Sequence, residues 1–358
     1  MADQVQEVLE AFAKGELVVV TDDDDREGEG DLIVAASLCT PEKMAFVIRH
    51  TSGIVCAPIT TEDAHRLHLD PMVSHNESAH ATAFTVSIDY KPDGGTGISA
   101  EERASCCRAL ANPNAGATDF ARPGHVFPLI AREGGVLFRS GHTEAAVDLC
   151  RLSGLPPVGV ISELMNDDGS VMKGEQVARF AAEHKLKHVT IADLIAYRQA
   201  REKLIERVST FTMESPIGPL QGYAYRSPFD EITHAAFVYN GIGDGKRVLT
   251  RLHKPNIVKD LFTGSQRMQV VLRHFKRAGR GVLVYLRDGA AGVPVEPMGE
   301  TRTAEADRHK QWREVGVGAQ ILRDLGVTSI VNLTSSVHDY KGLSGFGIEI
   351  VASERLEI

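Results

Sequence analysis

Leu17-Val18-Val19-Val20-Thr21 and Leu32-Ile33-Val34-Ala35-Ala36-Ser37-Leu38-Cys39 flank the run Asp22-Asp23-Asp24-Asp25-Arg26-Glu27-Gly28-Glu29-Gly30-Asp31. Short continuous apolar runs such as Leu17–Val20 and Leu32–Cys39 predict buried strands. The acidic run between them predicts a loop leaving the end of a sheet, where sites gather. Glycine at 28 and 30 lets a ligand approach the backbone closely. A solvated acidic turn is the bland alternative. One arginine embedded among carboxylates is odd for such a turn, but it fits an anion clamp beside a cation-holding carboxylate. An EF-hand is a poor match, because Arg26 takes the fifth ligand position and no glycine follows it. Oxygen-rich sites of this kind suit Mg²⁺ or Mn²⁺.

Outward from this hairpin, residues 3–14 predict a helix with Val5, Val8, Leu9 and Phe12 on one face, ended by Gly15. Thr40-Pro41-Glu42 marks a helix start: a capping hydroxyl, proline at the first position and an acid in the first turn. Strands are expected at 54–57, 84–88 and 158–164, and helices at 142–153, 175–184 and 191–207. Residues 208–218 break the pattern and place a domain boundary near 207. Beyond it the chain reads as strand-rich to about 252, with helices at 265–278 and 311–325 and strands at 281–286, 328–333 and 346–351. Strands and helices mix without strict alternation, which favours layered α+β domains.

The chain has 358 residues, 43% hydrophobic and 24% charged, enough for two globular domains. A net charge of -9 weighs against a whole-chain nucleic-acid binder, which would need a basic face. No apolar run approaches the ~18 residues of a membrane span. The acidic, amphipathic start is unlike a signal or transit peptide, so a soluble cytoplasmic protein is expected. The cysteines, Cys39, Cys56, Cys106, Cys107 and Cys150, form no C-x-x-C pair. A disulfide framework is not expected. No cysteine follows residue 150.

Three further polar clusters stand out. Arg122-Pro123-Gly124-His125-Val126-Phe127-Pro128 sets a histidine in a Pro/Gly loop. Arg139-Ser140-Gly141-His142-Thr143-Glu144 precedes an apolar helix. Its amides and Thr143 make an anion site at a helix N-terminus, or else Ser140 or Thr143 is an ordinary cap. Ile161-Ser162-Glu163-Leu164 ends a strand on a carboxylate, and Asn166-Asp167-Asp168-Gly169 reads as a turn. A hard-metal site, a phosphate-binding arginine with a helix terminus, and several acid/base groups point to metal-assisted proton chemistry on a small phosphorylated carbonyl compound.

At these residues the chain resembles the 3,4-dihydroxy-2-butanone 4-phosphate synthase family of the riboflavin pathway. Its R-E-x-E-G-D pattern matches Arg26, Glu27, Glu29, Gly30 and Asp31. The likeness runs on through Arg49–Cys56, Thr82–Ser87, Thr96–Ser99, Arg122–Pro128, Gly141–Ala145 and Asn166–Gly169. It covers roughly residues 3–205 in family order. The resemblance implies a three-layer mixed-sheet domain over 1–207. It also implies conversion of D-ribulose 5-phosphate to the four-carbon ketone phosphate and formate. Glu27 and His142 correspond to ligands of a divalent metal, Mg²⁺ or Mn²⁺. Arg26, Glu27, Asp31, Arg139, Ser140, Gly141, His142, Thr143 and Glu163 correspond to substrate contacts. His125 and Glu163, with Asp31, correspond to catalytic groups. Cys56 lies in a matched strand, as a buried thiol or a substrate-facing one. A homodimer is implied as well.

Residues 208–358 resemble an α/β GTP cyclohydrolase II domain through Gly281–Leu286, Val317–Leu322, Asp324–Val327 and Gly342–Gly347. In that family three cysteines hold a zinc. Here those places fall near Asn256 and Arg267-Met268-Gln269, and Asp288-Gly289-Ala290-Ala291-Gly292 replaces its E-G-R-G stretch. A replacement site would have to come from His253, His274, His309 or His338. The expectation is a degenerate domain without zinc or GTP cyclohydrolase activity. It would serve structure, nucleotide binding or a riboflavin-pathway enzyme partner. A bifunctional enzyme that also hydrolyses GTP and a non-catalytic pathway scaffold are the alternatives.

Overall fold

The computed structural model describes residues 2–22, 28–77, 82–202, 205–226, 232–253, 265–287, 317–334 and 348–356. The chain divides into two units, Met1–Tyr197 and Arg198–Ile358. The sequence placed the change near 207, because 191–207 reads as one continuous helix. That helix ends at Arg201, and residues expected to break the pattern form a strand, Glu206–Met213. Thr210, Phe211, Thr212 and Met213 alternate polar with apolar, as a hairpin strand does.

The first unit holds β1 (Val18–Thr21), β2 (Gly30–Ala35), β3 (Cys56–Ile59), β4 (Ile88–Tyr90), β5 (Phe120–Ile130), β6 (Gly159–Glu163) and β7 (Lys187–Thr190). They form one mixed sheet in the order β4-β5-β3-β6-β2-β1-β7. Its helices are α1 (Ala2–Ala13), α2 (Pro41–His50), α3 (Thr61–Arg66), α4 (Ala100–Leu110), α5 (His142–Leu152), α6 (Glu175–Glu183) and α7 (Ile191–Arg201). Alternation along the strands sorts them into layers. Val18, Val20, Ile33 and Ala35 pack with Phe12 of α1, Leu149 of α5 and Leu194 of α7. Val34, Ala57 and Ile59 meet Met44 of α2 and Leu110 of α4. Val19 and Leu32 meet Val177 and Phe180 of α6. Burying a side chain such as Ile33 contributes about 1.5–3 kcal/mol. Thr40 caps α2 as expected, accepting from the Lys43 N–H at 3.4 Å.

Three expectations are corrected. The strand expected at 84–88 does not form: Phe84 and Thr85 make isolated bridges and β4 begins at Ile88. Leu32–Cys39 is not one strand, since β2 ends at Ala35 and a short 3-10 turn follows. His125 lies within β5 rather than a plain loop. The ladder pairs Ile88 with Val126 and then Asp89 with Ala121, so residues 122–125 bulge out of it. A bulge tolerates the proline and glycine that made the segment read as a loop.

The second unit is also a seven-stranded mixed sheet, β14-β13-β11-β12-β10-β9-β8. Its strands are β8 (Glu206–Met213), β9 (Leu220–Arg226), β10 (Thr233–Tyr239), β11 (Val248–His253), β12 (Gly281–Tyr285), β13 (Ser329–Thr334) and β14 (Glu349–Arg355). Phe275 of α8 (Ser265–Ala278) packs on one face. Ile321 of α9 (317–324) packs on the other. Among the described residues no helix is long and apolar enough to cross a membrane.

Candidate active site

The β1–β2 hairpin delivers Asp31 to one row of the first sheet. Asp31 is buried, pairs across β2 with Glu163 of β6, and faces Val20 of β1. Residues in register share a face, and alternation puts Asp31 with Ile33 and Glu163 with Ile161 on the side that α5 covers. Cys56 of β3 joins the same face. Burial, and then the charges of Glu163 and Asp31, push its thiol well above the usual range. It is therefore a protonated, inert group.

The first residue of α5 completes the cluster. His142 Nε2 lies 3.1 Å from the Val20 carbonyl. A carbonyl only accepts, so Nε2 carries a proton in this contact, and in a neutral ring the lone pair would sit on Nδ1. That Nδ1 lies 3.8 Å from Asp31 Oδ1, with both side chains buried. A lone pair facing a carboxylate is disfavoured unless positive charge lies there, either a ring proton or a cation. A backbone carbonyl behind the ring is also the usual support of a metal-ligating histidine. The donor set therefore fits a divalent cation. Arg26 and Glu27, the other expected clamp and ligand, lie outside the described residues. Among the described residues no three His, Cys, Asp or Glu side chains group to hold a metal ion.

Beside this cluster, Arg139 Nη1 donates to Glu144 Oε2 at 2.6 Å and Nη2 donates to Thr82 Oγ1 at 3.1 Å. The other Glu144 oxygen accepts from the Arg132 N–H at 3.0 Å. The cap of α5 is Gly141, with no side-chain cap bond, so the Ser140 or Thr143 alternative does not form. A Cβ at 141 would come within 2.3 Å of Arg139 Nη1, so the ion pair itself requires glycine there. Ser140 and Thr143 are both buried at this helix start. Arg139, Thr143 and the N-terminus of α5 are groups whose chemistry suits a phosphate.

His125 stands apart from this group. Its Nδ1 lies 2.8 Å from Asp89 Oδ2, its N–H donates to Asp89 Oδ1 at 2.8 Å, and its side chain is 43% exposed. Two strand spacings, roughly 10 Å of backbone, separate β5 from β6. Asp89, Ser52, Thr82 and Glu144 were not singled out from the sequence. Glu144 sits within the His142-Thr143-Glu144 motif, and its apolar neighbours Ala145 and Ala146 were the available sign that it is buried.

In the second unit His253 stacks beside Tyr285, ring centroids 5.4 Å apart, and His274 Nδ1 lies 3.8 Å from Glu354. The two histidines belong to different elements, β11 and α8. Asn256, Asp288–Gly292, His309 and His338 lie outside the described residues, as does the side chain of Arg267.

Residues 6–197 match the 3,4-dihydroxy-2-butanone 4-phosphate synthase family and residues 206–355 the GTP cyclohydrolase II family. The chain is 46% identical to the bifunctional riboflavin biosynthesis protein RIBA 1 of Arabidopsis thaliana, over 97% of this chain and 68% of that protein. It is 44% identical to the monofunctional riboflavin biosynthesis protein RIBA 2 of the same plant, over 97% of this chain and 75% of that protein. The structure of RibBX, a two-domain 3,4-dihydroxy-2-butanone 4-phosphate synthase from A. baumannii, is similar with a TM-score of 0.82 and 35% identity. That likeness covers 98% of this chain and 99% of the other. A 3,4-dihydroxy-2-butanone 4-phosphate synthase in complex with two magnesium ions is similar with a TM-score of 0.54 and 48% identity, over 55% of this chain and 97% of that one.

Proposed function

The chain belongs to the 3,4-dihydroxy-2-butanone 4-phosphate synthase family of riboflavin biosynthesis, and from that premise we propose how its two units divide the work. The first unit converts D-ribulose 5-phosphate to 3,4-dihydroxy-2-butanone 4-phosphate and formate. The observation that carries this reading is the meeting of Asp31, Glu163 and His142 on one sheet face, beside the Arg139–Glu144 pair. Arg139, Thr143 and the α5 amides hold the phosphate and fix the sugar's register. His142, with Glu27, holds a divalent cation, Mg²⁺ or Mn²⁺. That cation supplies positive charge where negative charge develops on the sugar oxygens. Asp31 and Glu163 move protons on the carbon chain, and Arg26 is a substrate contact. His125, oriented by Asp89, is a further essential group. The substrate's atoms divide between the two products, so the reaction needs no oxidant.

The second unit does not hydrolyse GTP in this reading. The support is its lack of any cysteine after Cys150, where zinc chemistry of that family requires thiolates. The name of the monofunctional relative accords with it. A bifunctional enzyme is the second reading, favoured by the match over residues 206–355 and by the bifunctional relative's name. A homodimer follows from the family resemblance, and the exposed Ile54, Ile98 and Phe138 offer apolar surface for it. The test is a paired assay of the purified chain with ribulose 5-phosphate or with GTP. Formate from the sugar alone is the expected result. Formate from both selects the bifunctional enzyme, and formate from neither refutes the reading.

A further inference from the structure

Glu163 is gripped by the segment that leads into β3. Cys56 pairs with Ile161 while Thr51 pairs with Leu164, so the segment bulges between these two points. Within the bulge, the Ser52 hydroxyl donates to Glu163 Oε2 at 2.7 Å and the Ser52 N–H donates to the Glu163 carbonyl at 2.8 Å. The direction of that hydroxyl is fixed by its neighbours. Ser52 Oγ accepts from the Ile54 N–H at 3.2 Å, and the nearby Ser162 hydroxyl spends its proton on the Ile54 carbonyl at 2.9 Å. Of these two hydroxyls, that of Ser52 is the one with a proton left to point at the carboxylate.

The turn that sets this geometry is Gly53, at φ +74°, in the left-handed region. Its carbonyl accepts from Arg103 Nη1 of α4 at 2.9 Å. Arg103 is only 7% exposed. Among the described residues its Nε has no hydrogen-bond partner and no carboxylate pairs with it. Burying a guanidinium with no counter-charge among the described residues is costly, which points to a task beyond packing. The task on view is the hold on Gly53.

We propose that Ser52 and Arg103 are positioning residues for Glu163: Arg103 locks the Gly53 turn, and the locked turn aims the Ser52 hydroxyl at the carboxylate. The proposal rests on the catalytic reading of Glu163 given above. Ser52 acts one hydrogen bond away from Glu163 and Arg103 two.

The test compares steady-state formate release from ribulose 5-phosphate by Glu163→Gln, Ser52→Ala, Ser52→Thr, Arg103→Met and Arg103→Lys. A hydrogen bond to a charged group corresponds to about tenfold or more in rate. Ser52→Ala and Arg103→Met are each expected to lose about that factor in kcat, with KM held within about twofold. Ser52→Thr, which keeps a hydroxyl at an exposed position, and Arg103→Lys, which can still donate to one carbonyl, restore most of it. The double variant Ser52→Ala/Arg103→Met falls little below either single, because both act through one bond. Wild-type kcat in Ser52→Ala and Arg103→Met, with Glu163→Gln inactive, overturns the positioning role and leaves the reading of Glu163 standing. Full turnover in Glu163→Gln overturns both. If Arg103→Met does not fold, the Ser52 pair decides alone, and a loss confined to KM counts against the proposal.

Discussion

Nδ1 of His142 faces Oδ1 of Asp31 across 3.8 Å, with the ring's other nitrogen tied to the Val20 carbonyl. The two groups come from opposite sides of one layer contact, the α5 N-terminus and strand β2. Under the proposed reading, removing the imidazole takes away a cation ligand. His142→Ala is expected to raise the Mg²⁺ concentration for half-maximal formate release by about tenfold or more. Asp31→Asn keeps the shape and is expected to lower kcat by about 100-fold. A Mg²⁺ titration of each variant, with circular dichroism as the folding control, is the check. An unchanged titration in His142→Ala removes it from the metal site.

Glu144, 1% exposed, accepts from both the Arg139 guanidinium and the Arg132 N–H. Deleting the carboxylate strands a partly buried cation and a backbone donor. Glu144→Ala is expected to lose about 3 kcal/mol in denaturant unfolding. Glu144→Gln can still accept one bond, so it should fold better while KM for the phosphorylated substrate rises as Arg139 loses its anchor.

Glu102 reports on acid stability. Its hydrogen bond with the Ser99 side chain, and then those from the Gly97 and Ser99 amides, hold its carboxyl down at about 2, from an ordinary 4.5. These bonds cap α4 and order the turn before it. A carboxylate whose folded pKa is depressed stabilises the fold above its unfolded value. That contribution disappears as pH falls from about 4.5 to about 2. Glu102→Gln is expected to flatten the stability-against-pH curve in this window and leave its slope near pH 7 unchanged. Urea midpoints across pH 2–7 for both proteins make the comparison.

Gly124 admits no side chain. A Cβ there would lie 2.0 Å from the Ile88 carbonyl carbon and 2.3 Å from the Asp89 nitrogen, both main-chain atoms. Gly124→Ala must therefore push β4 from the β5 bulge that carries His125. A loss of about 2 kcal/mol is expected, with a fall in turnover as the His125–Asp89 pair is displaced. Urea unfolding and formate release read the two effects separately.

What the sequence revealed followed the range of each signal. Thr40-Pro41-Glu42 announces α2 through contacts within four residues, and the structure places its cap there. Apolar runs located β1, β6 and β12, because a strand buried on both faces needs no alternation. The helix 100–110 was missed: apart from Leu110 its buried face is made of Arg103, Ala104, Cys106, Cys107 and Ala109, small or charged residues that carry no strong apolar stripe. Within the site, Asp31, His142 and Glu163 were legible as residue types in motifs. Their meeting was not, since it depends on β2 pairing with β6 across 132 residues. Ser52, Asp89 and Glu144 act through partners distant in sequence or set by burial, and single residues carry no mark of either.

In the proposed function the Asp31–His142–Glu163 cluster works with a divalent cation on ribulose 5-phosphate. The most direct measurement is formate release from that sugar by protein stripped with EDTA and then titrated with Mg²⁺. Stripping is expected to abolish release, and Mg²⁺ to restore it in a saturable way. Undiminished formate release in excess EDTA would contradict that reading.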